Sequence, residues 1–178
     1  MILLINGSFG VGKTTVGRIL QRRIPGSRLY NPEWAGSVLM RLPFKFEGSR
    51  TGDFQDIYLW RKSVVSGIKI FRFIARDTLI VPMAFHNKDY FDEVIGGIRE
   101  LDNQVRIFCL QASFETILKR LEKRGEVIKD GDFNWSVSKA KECVKAHKDD
   151  VFGEAINTNE LNADEVASEI LRKLDLNS

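Results

Sequence analysis

The sequence predicts an α/β fold in which a parallel β-sheet of about five strands carries helices on both faces. Short continuous apolar runs, such as residues 2–5, 78–85 and 105–110, are typical of strands that are buried on both sides. Between these runs lie segments whose apolar residues recur at helical spacing. Strands that alternate with helices in this way indicate a doubly wound, three-layer sheet.

The predicted elements follow in order along the chain. We expect strands over residues 2–5, 28–30, 78–85, 105–110 and 155–158. We expect helices over residues 13–20, 33–42, 53–75, 88–101, 113–124, 136–152 and 163–174. Pro25 ends the first helix, Asp53 and Ser113 are good N-caps, and Pro82 marks the end of the third strand or a bulge. Since nothing resembles a hinge, residues 1–178 are predicted to form one domain.

Composition and charge exclude several classes of partner. The 178 residues include 27 Lys and Arg against 24 Asp and Glu, so the net charge of +3 gives no indication of nucleic-acid or membrane-surface binding. No apolar run approaches the length of a membrane span, and we expect a cytoplasmic protein. Cys109 and Cys143 lie in apolar runs without metal-ligand spacing, so we interpret them as core thiols. The oligomeric state is not indicated.

A glycine-rich phosphate-binding motif, Gly7-Ser8-Phe9-Gly10-Val11-Gly12-Lys13-Thr14, connects the first strand to the first helix. The glycines permit a backbone that turns its N–H groups toward an anion, and the helix that follows adds its partial positive charge. Lys13 is expected to reach the outer phosphates of ATP, and the Thr14 hydroxyl is expected to hold Mg²⁺. The residues predicted to bind the nucleotide here are Gly7, Phe9, Gly10, Val11, Gly12, Lys13, Thr14 and Thr15.

With this motif, the chain resembles the small P-loop kinases, and more narrowly the tunicamycin-resistance ATP-binding protein family. The narrow resemblance rests on Ile5 through Thr14, Asn31-Pro32-Glu33, Asp53-Phe54-Gln55, Leu59-Trp60-Arg61, Leu79-Ile80-Val81-Pro82-Met83, Tyr90-Phe91, Glu93-Val94-Ile95-Gly96 and the stretch from Thr116 to Leu121. It implies a P-loop NTPase fold like that of shikimate and nucleoside kinases, with strand order 2-3-1-4-5. The chain departs from the family at Asn31, where members often carry an acid.

Two acids and one arginine are candidates for the acceptor side. The resemblance implies that Glu33 takes the proton of the acceptor hydroxyl, although an acid in the first turn of a helix is favoured by the helix dipole alone. Asp53 could contact the substrate or Mg²⁺, or it could be only an N-cap. Arg61 lies on the apolar stripe of its helix, where a charge needs a partner, and it could bind substrate or form a structural ion pair.

Arg120 and Arg124 lie one helical turn apart and therefore share a face. By resemblance to nucleotide kinases, such a pair contacts the base and the phosphates and leads into a lid, here residues 125–135; the alternative is a solvated helix face. The predicted catalytic residues are thus Lys13, Glu33 and Asp53, and the predicted substrate-binding residues are Glu33, Asp53 and Arg61.

We therefore expect an ATP-dependent phosphotransferase that acts on a hydroxyl group of a small molecule. A nucleoside-type antibiotic such as tunicamycin is suggested by the resemblance alone. The alternative is a non-catalytic ATP-binding module that sequesters a ligand or switches a partner, because no predicted strand ends in the Asp that usually holds Mg²⁺ through water. Slow ATP hydrolysis without an acceptor is the third possibility.

Overall fold

A five-stranded parallel sheet forms the centre of the computed structural model, which describes residues 1–32, 54–75, 77–125 and 135–175. The strands are β1 (Ile2–Gly7), β2 (Arg28–Leu29), β3 (Leu79–Pro82), β4 (Val105–Gln111) and β5 (Glu154–Asn157). Their order is β2-β3-β1-β4-β5, and every neighbouring pair is parallel. The predicted fold class and strand order are confirmed.

The described part of the chain has six α-helices and two short 3₁₀ turns. The helices are α1 (Lys13–Arg23), α2 (Tyr58–Ile74), α3 (Lys88–Arg99), α4 (Phe114–Lys123), α5 (Trp135–Ala146) and α6 (Ala163–Lys173). The 3₁₀ turns are Phe54–Asp56 and Asp150–Phe152. Side-chain caps begin several helices as expected; the Ser113 side chain, for example, accepts a hydrogen bond from the Thr116 backbone N–H.

Each face of the sheet is covered by its own pair of helices. Because side chains alternate along a strand, Ile2 and Leu4 of β1 pack in one apolar cluster with α2 and α3. Leu3 and Ile5 pack in a second cluster with α1 and α6. These four side chains are fully buried, which explains why residues 2–5 form a continuous apolar run rather than an alternating one.

Helices α4 and α5 form a third, smaller apolar cluster with the glycine-rich loop. Ile117, Leu121 and Ala140 are its buried members, and Phe9 of the loop packs against them. Through Phe9, the glycine-rich loop is therefore packed against these two helices. Two elements that lie far away in sequence thus fix the position of the loop.

The sequence prediction differs from the structure in several element bounds. The helix predicted over residues 136–152 ends at Ala146, because Asp149 caps a separate 3₁₀ turn by accepting a hydrogen bond from the Val151 N–H. Pro82 does end β3, as expected. The predicted helix 33–42 and most of the predicted lid, residues 126–134, lie outside the described residues. Trp135, at the far end of that segment, is the first residue of α5.

Among the described residues, no helix is long and apolar enough to cross a membrane.

Candidate functional site

The glycine-rich loop turns at the carboxyl end of β1 and leads directly into α1. Gly10 has φ 82° and Gly12 has φ 107°, which are conformations that other residues rarely adopt. A Cβ atom at Gly10 would also lie 3.0 Å from the Leu121 side chain. Gly12 is the N-cap of α1 and the first turn holds no acidic residue, so the N–H groups and the positive end of the helix dipole are offered to an anion.

Lys13 lies within this loop and is held close to it. Its Nζ atom donates a hydrogen bond to the Ser8 carbonyl over 3.1 Å and lies 5.3 Å from the centroid of the Phe9 ring. Only 6% of the residue is exposed, although a lysine at a loop–helix junction is ordinarily expected to be open to solvent. The Phe9 ring in turn meets Trp135 edge-on, with 5.1 Å between ring centroids. The Lys13 ammonium group is therefore held in place by these contacts.

Arg120 joins the loop to the end of the last strand. Its guanidinium donates hydrogen bonds to the Val11 carbonyl over 3.2 Å, to Thr158 Oγ1 over 3.2 Å and to the Thr158 carbonyl over 2.6 Å. Partial burial lowers the pKa of this arginine, but a guanidinium remains charged at neutral pH. Arg124 is exposed at the C-terminal end of α4.

A cavity of about 190 Å³ opens beside Arg120. It lies between the start of α1, helix α4 and the segment that follows β5, and is lined by Val11, Gly12, Thr15, Val16, Arg120, Thr158, Leu161, Asn162, Ala163 and Val166. It adjoins the N-terminus of α1, where a polyphosphate would bind. The arrangement can therefore hold phosphates at the loop and a flat ring next to the guanidinium of Arg120.

A second group of charged residues lies near the carboxyl end of β3. Arg61 is 8% exposed. Its Nε donates a hydrogen bond to Glu93 Oε2 over 2.7 Å, and its Nη1 donates one to the Gln55 carbonyl over 2.6 Å. Its Cζ atom lies 4.2 Å from the centroid of the Tyr90 ring. Gln55 also donates to the Ala84 carbonyl, just beyond β3. The guanidinium is thus paired with a carboxylate inside the protein, and its contact with a substrate stays a prediction.

A third group includes His86, which also follows β3. His86 Nε2 lies 3.2 Å from Glu142 Oε2, and the same oxygen accepts a hydrogen bond from Lys139 Nζ over 2.8 Å. Lys139 is 8% exposed. Helix α5 therefore brings an acid and a lysine to the edge of the sheet that holds the glycine-rich loop.

The fold recurs in several solved structures. The Deinococcus radiodurans tunicamycin resistance protein is similar over 99% of this chain and 96% of that chain, with a TM-score of 0.77 and 28% identity. A Janibacter sugar kinase has 18% identity, a TM-score of 0.66 and coverage of 98% and 94%. Acinetobacter baumannii shikimate kinase has 16% identity, a TM-score of 0.66 and coverage of 97% and 92%.

The chain has the P-loop kinase fold. The resemblance to P-loop kinases that we drew from the sequence is confirmed, and so is the narrower likeness to a tunicamycin resistance protein. Neither a protein-family model nor a curated protein matches this sequence.

The residues of the P-loop also fit a magnesium ion that arrives with a nucleotide. The Thr14 hydroxyl is half-buried in the first turn of α1, and a neutral oxygen is a ligand that Mg²⁺ accepts alongside phosphate oxygens and water. Within the described ranges, no group of three His, Cys, Asp or Glu residues could hold a metal by itself. Glu33 and Asp53, the predicted acids of the site, lie outside those ranges.

Sequence reasoning missed several residues of this site. Thr158 and Asn162 line the cavity next to Arg120; the place of residue 158 onward directly after the last strand predicts that this segment borders the ligand site, but it assigns neither residue a role. Lys139 and Glu142 were missed because nothing in a helical pattern distinguishes a charge at the site from one in solvent. The structure places Arg120 against the P-loop, while its contact with a nucleotide stays a prediction, and it places Arg61 in an ion pair beside β3.

Proposed function

We propose that this protein is a kinase that transfers the γ-phosphoryl group of ATP to a hydroxyl group of a small molecule. The observation that carries the proposal is the cavity at Arg120, which adjoins the P-loop and the N-terminus of α1. A nucleotide with its phosphates at the loop would place its base in this cavity. The kinases among the similar structures support this proposal through their shared fold.

Each part of the site has a role in the proposed transfer. The loop N–H groups and Lys13 would hold the β- and γ-phosphates, and Mg²⁺ at Thr14 would neutralise charge on the phosphates. Arg120 would contact the base, and Arg124 would approach the phosphates from the end of α4. The acceptor oxygen would form a bond to the γ-phosphorus while the bond to the bridging oxygen of ADP breaks, and the hydroxyl proton would pass to Glu33.

The acceptor would approach from the carboxyl end of β3, where Arg61 and His86 lie. Asp53 is expected to assist there, either on the substrate or on Mg²⁺. Since a similar structure is named as a tunicamycin resistance protein, nucleoside antibiotics of that type are the first acceptors to test. Sugars and aminoglycosides form the rest of a suitable panel.

The experiment is an acceptor screen with ATP and Mg²⁺. We expect one class of acceptor to cause ADP release and to gain the mass of one phosphoryl group. The Lys13→Ala variant serves as the inactive control. ADP release at the same rate in the presence and absence of every acceptor would contradict the proposal.

Replacing Glu33 by Gln tests the proposed base. The amide keeps the size of the side chain but cannot accept a proton, so turnover should fall by about 10²–10⁴-fold while ATP affinity remains near that of the wild type. Asp53→Asn is the matched comparison for the second acid. Full turnover in both variants would show that neither acid takes the proton.

One observation favours a second candidate, a nucleotide-binding module that sequesters a ligand without transferring phosphate. Strand β4 ends at Gln111, whose side chain is a neutral amide that donates to the His147 carbonyl. A carboxylate at the end of that strand would hold magnesium-bound water more strongly. Tight ATP binding together with no phosphorylated product from any acceptor would establish this candidate.

A further inference from the structure

A second cavity, of about 240 Å³, lies between the ends of β4 and β5 and helices α4 and α5. We call it the His147 cavity. Its lining consists of Ser8, Leu110, Gln111, Ala112, Ser113, Ile117, Val144, His147, Lys148, Asn157 and Asn159. It shares none of these residues with the cavity at Arg120. It meets the glycine-rich loop only at Ser8, which is not among the residues predicted to bind the nucleotide.

His147 contributes a hydrogen-bond acceptor to the cavity. The side chain is 3% exposed, and its Nε2 atom lies 2.6 Å from the Phe85 carbonyl oxygen. A carbonyl can only accept, so Nε2 carries the proton of this hydrogen bond. Burial lowers the pKa of His147 to about 4, so the ring is neutral at pH 7 and Nδ1 keeps a lone pair. Nδ1 makes no hydrogen bond with any residue that the structure describes.

Positive charge is supplied by the other groups around the cavity. Lys148 is exposed and forms no ion pair within the described part of the chain. The positive end of α4 begins at Ser113, whose N–H is held by Asn159 Oδ1 over 2.8 Å. The acid in the first turn of this helix, Glu115, is paired with Lys119. The cavity therefore combines one imidazole acceptor with a positively charged rim.

We propose that the His147 cavity binds a small hydroxy acid. Its hydroxyl group donates to Nδ1 of His147, and its carboxylate lies toward Lys148 and the N-terminus of α4. A carboxylic acid without a hydroxyl group offers no donor to Nδ1, and a diol without a carboxylate makes no charged interaction with the positive rim. His147 also donates a hydrogen bond to the carbonyl of Phe85, the residue directly before His86. The ligand therefore contacts a side chain that is hydrogen-bonded to the segment just beyond β3.

The test compares three small probes that separate these two contributions. Glycerate carries a hydroxyl and a carboxylate, propionate carries only the carboxylate, and propane-1,2-diol carries only hydroxyls. Each is titrated into the full chain with ADP and Mg²⁺ present, so that a carboxylate does not compete for the P-loop. The readouts are the ¹⁵N chemical shift of His147 Nδ1 and the amide shifts of Ser113 and Asn159.

We expect glycerate to move the Nδ1 resonance and both amides at one common affinity. Propionate and propane-1,2-diol should each bind about tenfold or more weakly, since each lacks one of the two interactions. Lys148→Met should weaken glycerate binding by about tenfold, whereas Lys145→Met, which removes an exposed lysine of α5 that does not line the cavity, should not.

Three results would each overturn the inference. Glycerate could leave the Nδ1 resonance unchanged up to the highest soluble concentration. Propionate could bind as tightly as glycerate, which would exclude a role for the lone pair. Lys148→Met could have no more effect than Lys145→Met, which would exclude a role for the positive rim. None of these readouts depends on phosphoryl transfer, so the inference is tested separately from the proposed kinase activity.

Discussion

Protonation of His147 should make the stability of this protein depend on pH between about 4 and 6.5. The pKa of His147 falls from its ordinary value of 6.5 to about 4, first because the ring is buried and also because Lys13 and His86 add positive charge nearby. The hydrogen bond to the Phe85 carbonyl opposes this change without cancelling it. The folded protein therefore resists taking up a proton that the unfolded chain accepts readily.

The size and the sign of the effect follow from these two pKa values. They differ by about 2.5, which corresponds to a contribution of about 3 kcal/mol to the free energy of unfolding. Below pH 6.5 the unfolded state binds more protons than the folded state, so stability increases with pH in this range. The contribution is complete above about pH 6.5 and is lost as the pH falls toward 4, by up to about 1.4 kcal/mol per pH unit.

This contribution can be measured by urea unfolding of the wild type and of the His147→Gln variant at intervals between pH 4.5 and 7.5. Glutamine suits this comparison because it can still donate to the Phe85 carbonyl but does not titrate. The difference between the two proteins cancels the carboxylates, which titrate in both. We expect the wild type to lose stability relative to the variant as the pH falls. Parallel curves, or a His147 ring that titrates near 6.5 by NMR in the folded protein, would refute the reasoning.

Three further predictions concern the P-loop and the arginines. Lys13→Ala should raise the ATP dissociation constant at least about tenfold in calorimetry, because a charge-assisted hydrogen bond is worth about 1.5–3 kcal/mol; wild-type affinity would contradict the P-loop assignment. Arg120→Met should weaken ATP binding more than Arg124→Met, since Arg120 donates a hydrogen bond to the loop and lines the cavity, and equal losses would contradict this. Arg61→Ala should lower the free energy of unfolding by about 3 kcal/mol, because it leaves the Glu93 carboxylate without its cation, and Glu93→Gln in the same chain should recover part of that loss.

Much of the fold could be predicted from local patterns. Strand β1 is buried on both faces, and this condition alone produces an uninterrupted apolar run. Helix bounds were less predictable where a polar side chain competes for the backbone. Asp149 illustrates this, since it accepts from the Val151 N–H and begins a 3₁₀ turn inside a stretch whose apolar spacing continues to favour a helix.

The P-loop could be recognised because all of its groups are contiguous in sequence. Glycines, lysine and threonine act there through their own backbone and through the helix that they begin, so no distant residue is needed to interpret them. Arg120 was also predicted, but its partners were not. It contacts Val11, 109 positions earlier, and Thr158, 38 positions later, and two of its three hydrogen bonds end on backbone carbonyls.

His147 was not predicted from the sequence because its hydrogen-bond partner is a backbone carbonyl. Every residue has a carbonyl group, so a histidine that donates to Phe85, 62 positions away, leaves no complementary side chain in the sequence that could indicate the contact. Arg61 differs, because a charge on an apolar stripe requires an opposite charge, and Glu93 provides one. A buried cation can thus be anticipated from its need for a counter-charge, whereas the N–H of a buried neutral ring can pair with any carbonyl. It follows that sites built on neutral polar groups and backbone, such as the His147 cavity, have to be found in the folded structure.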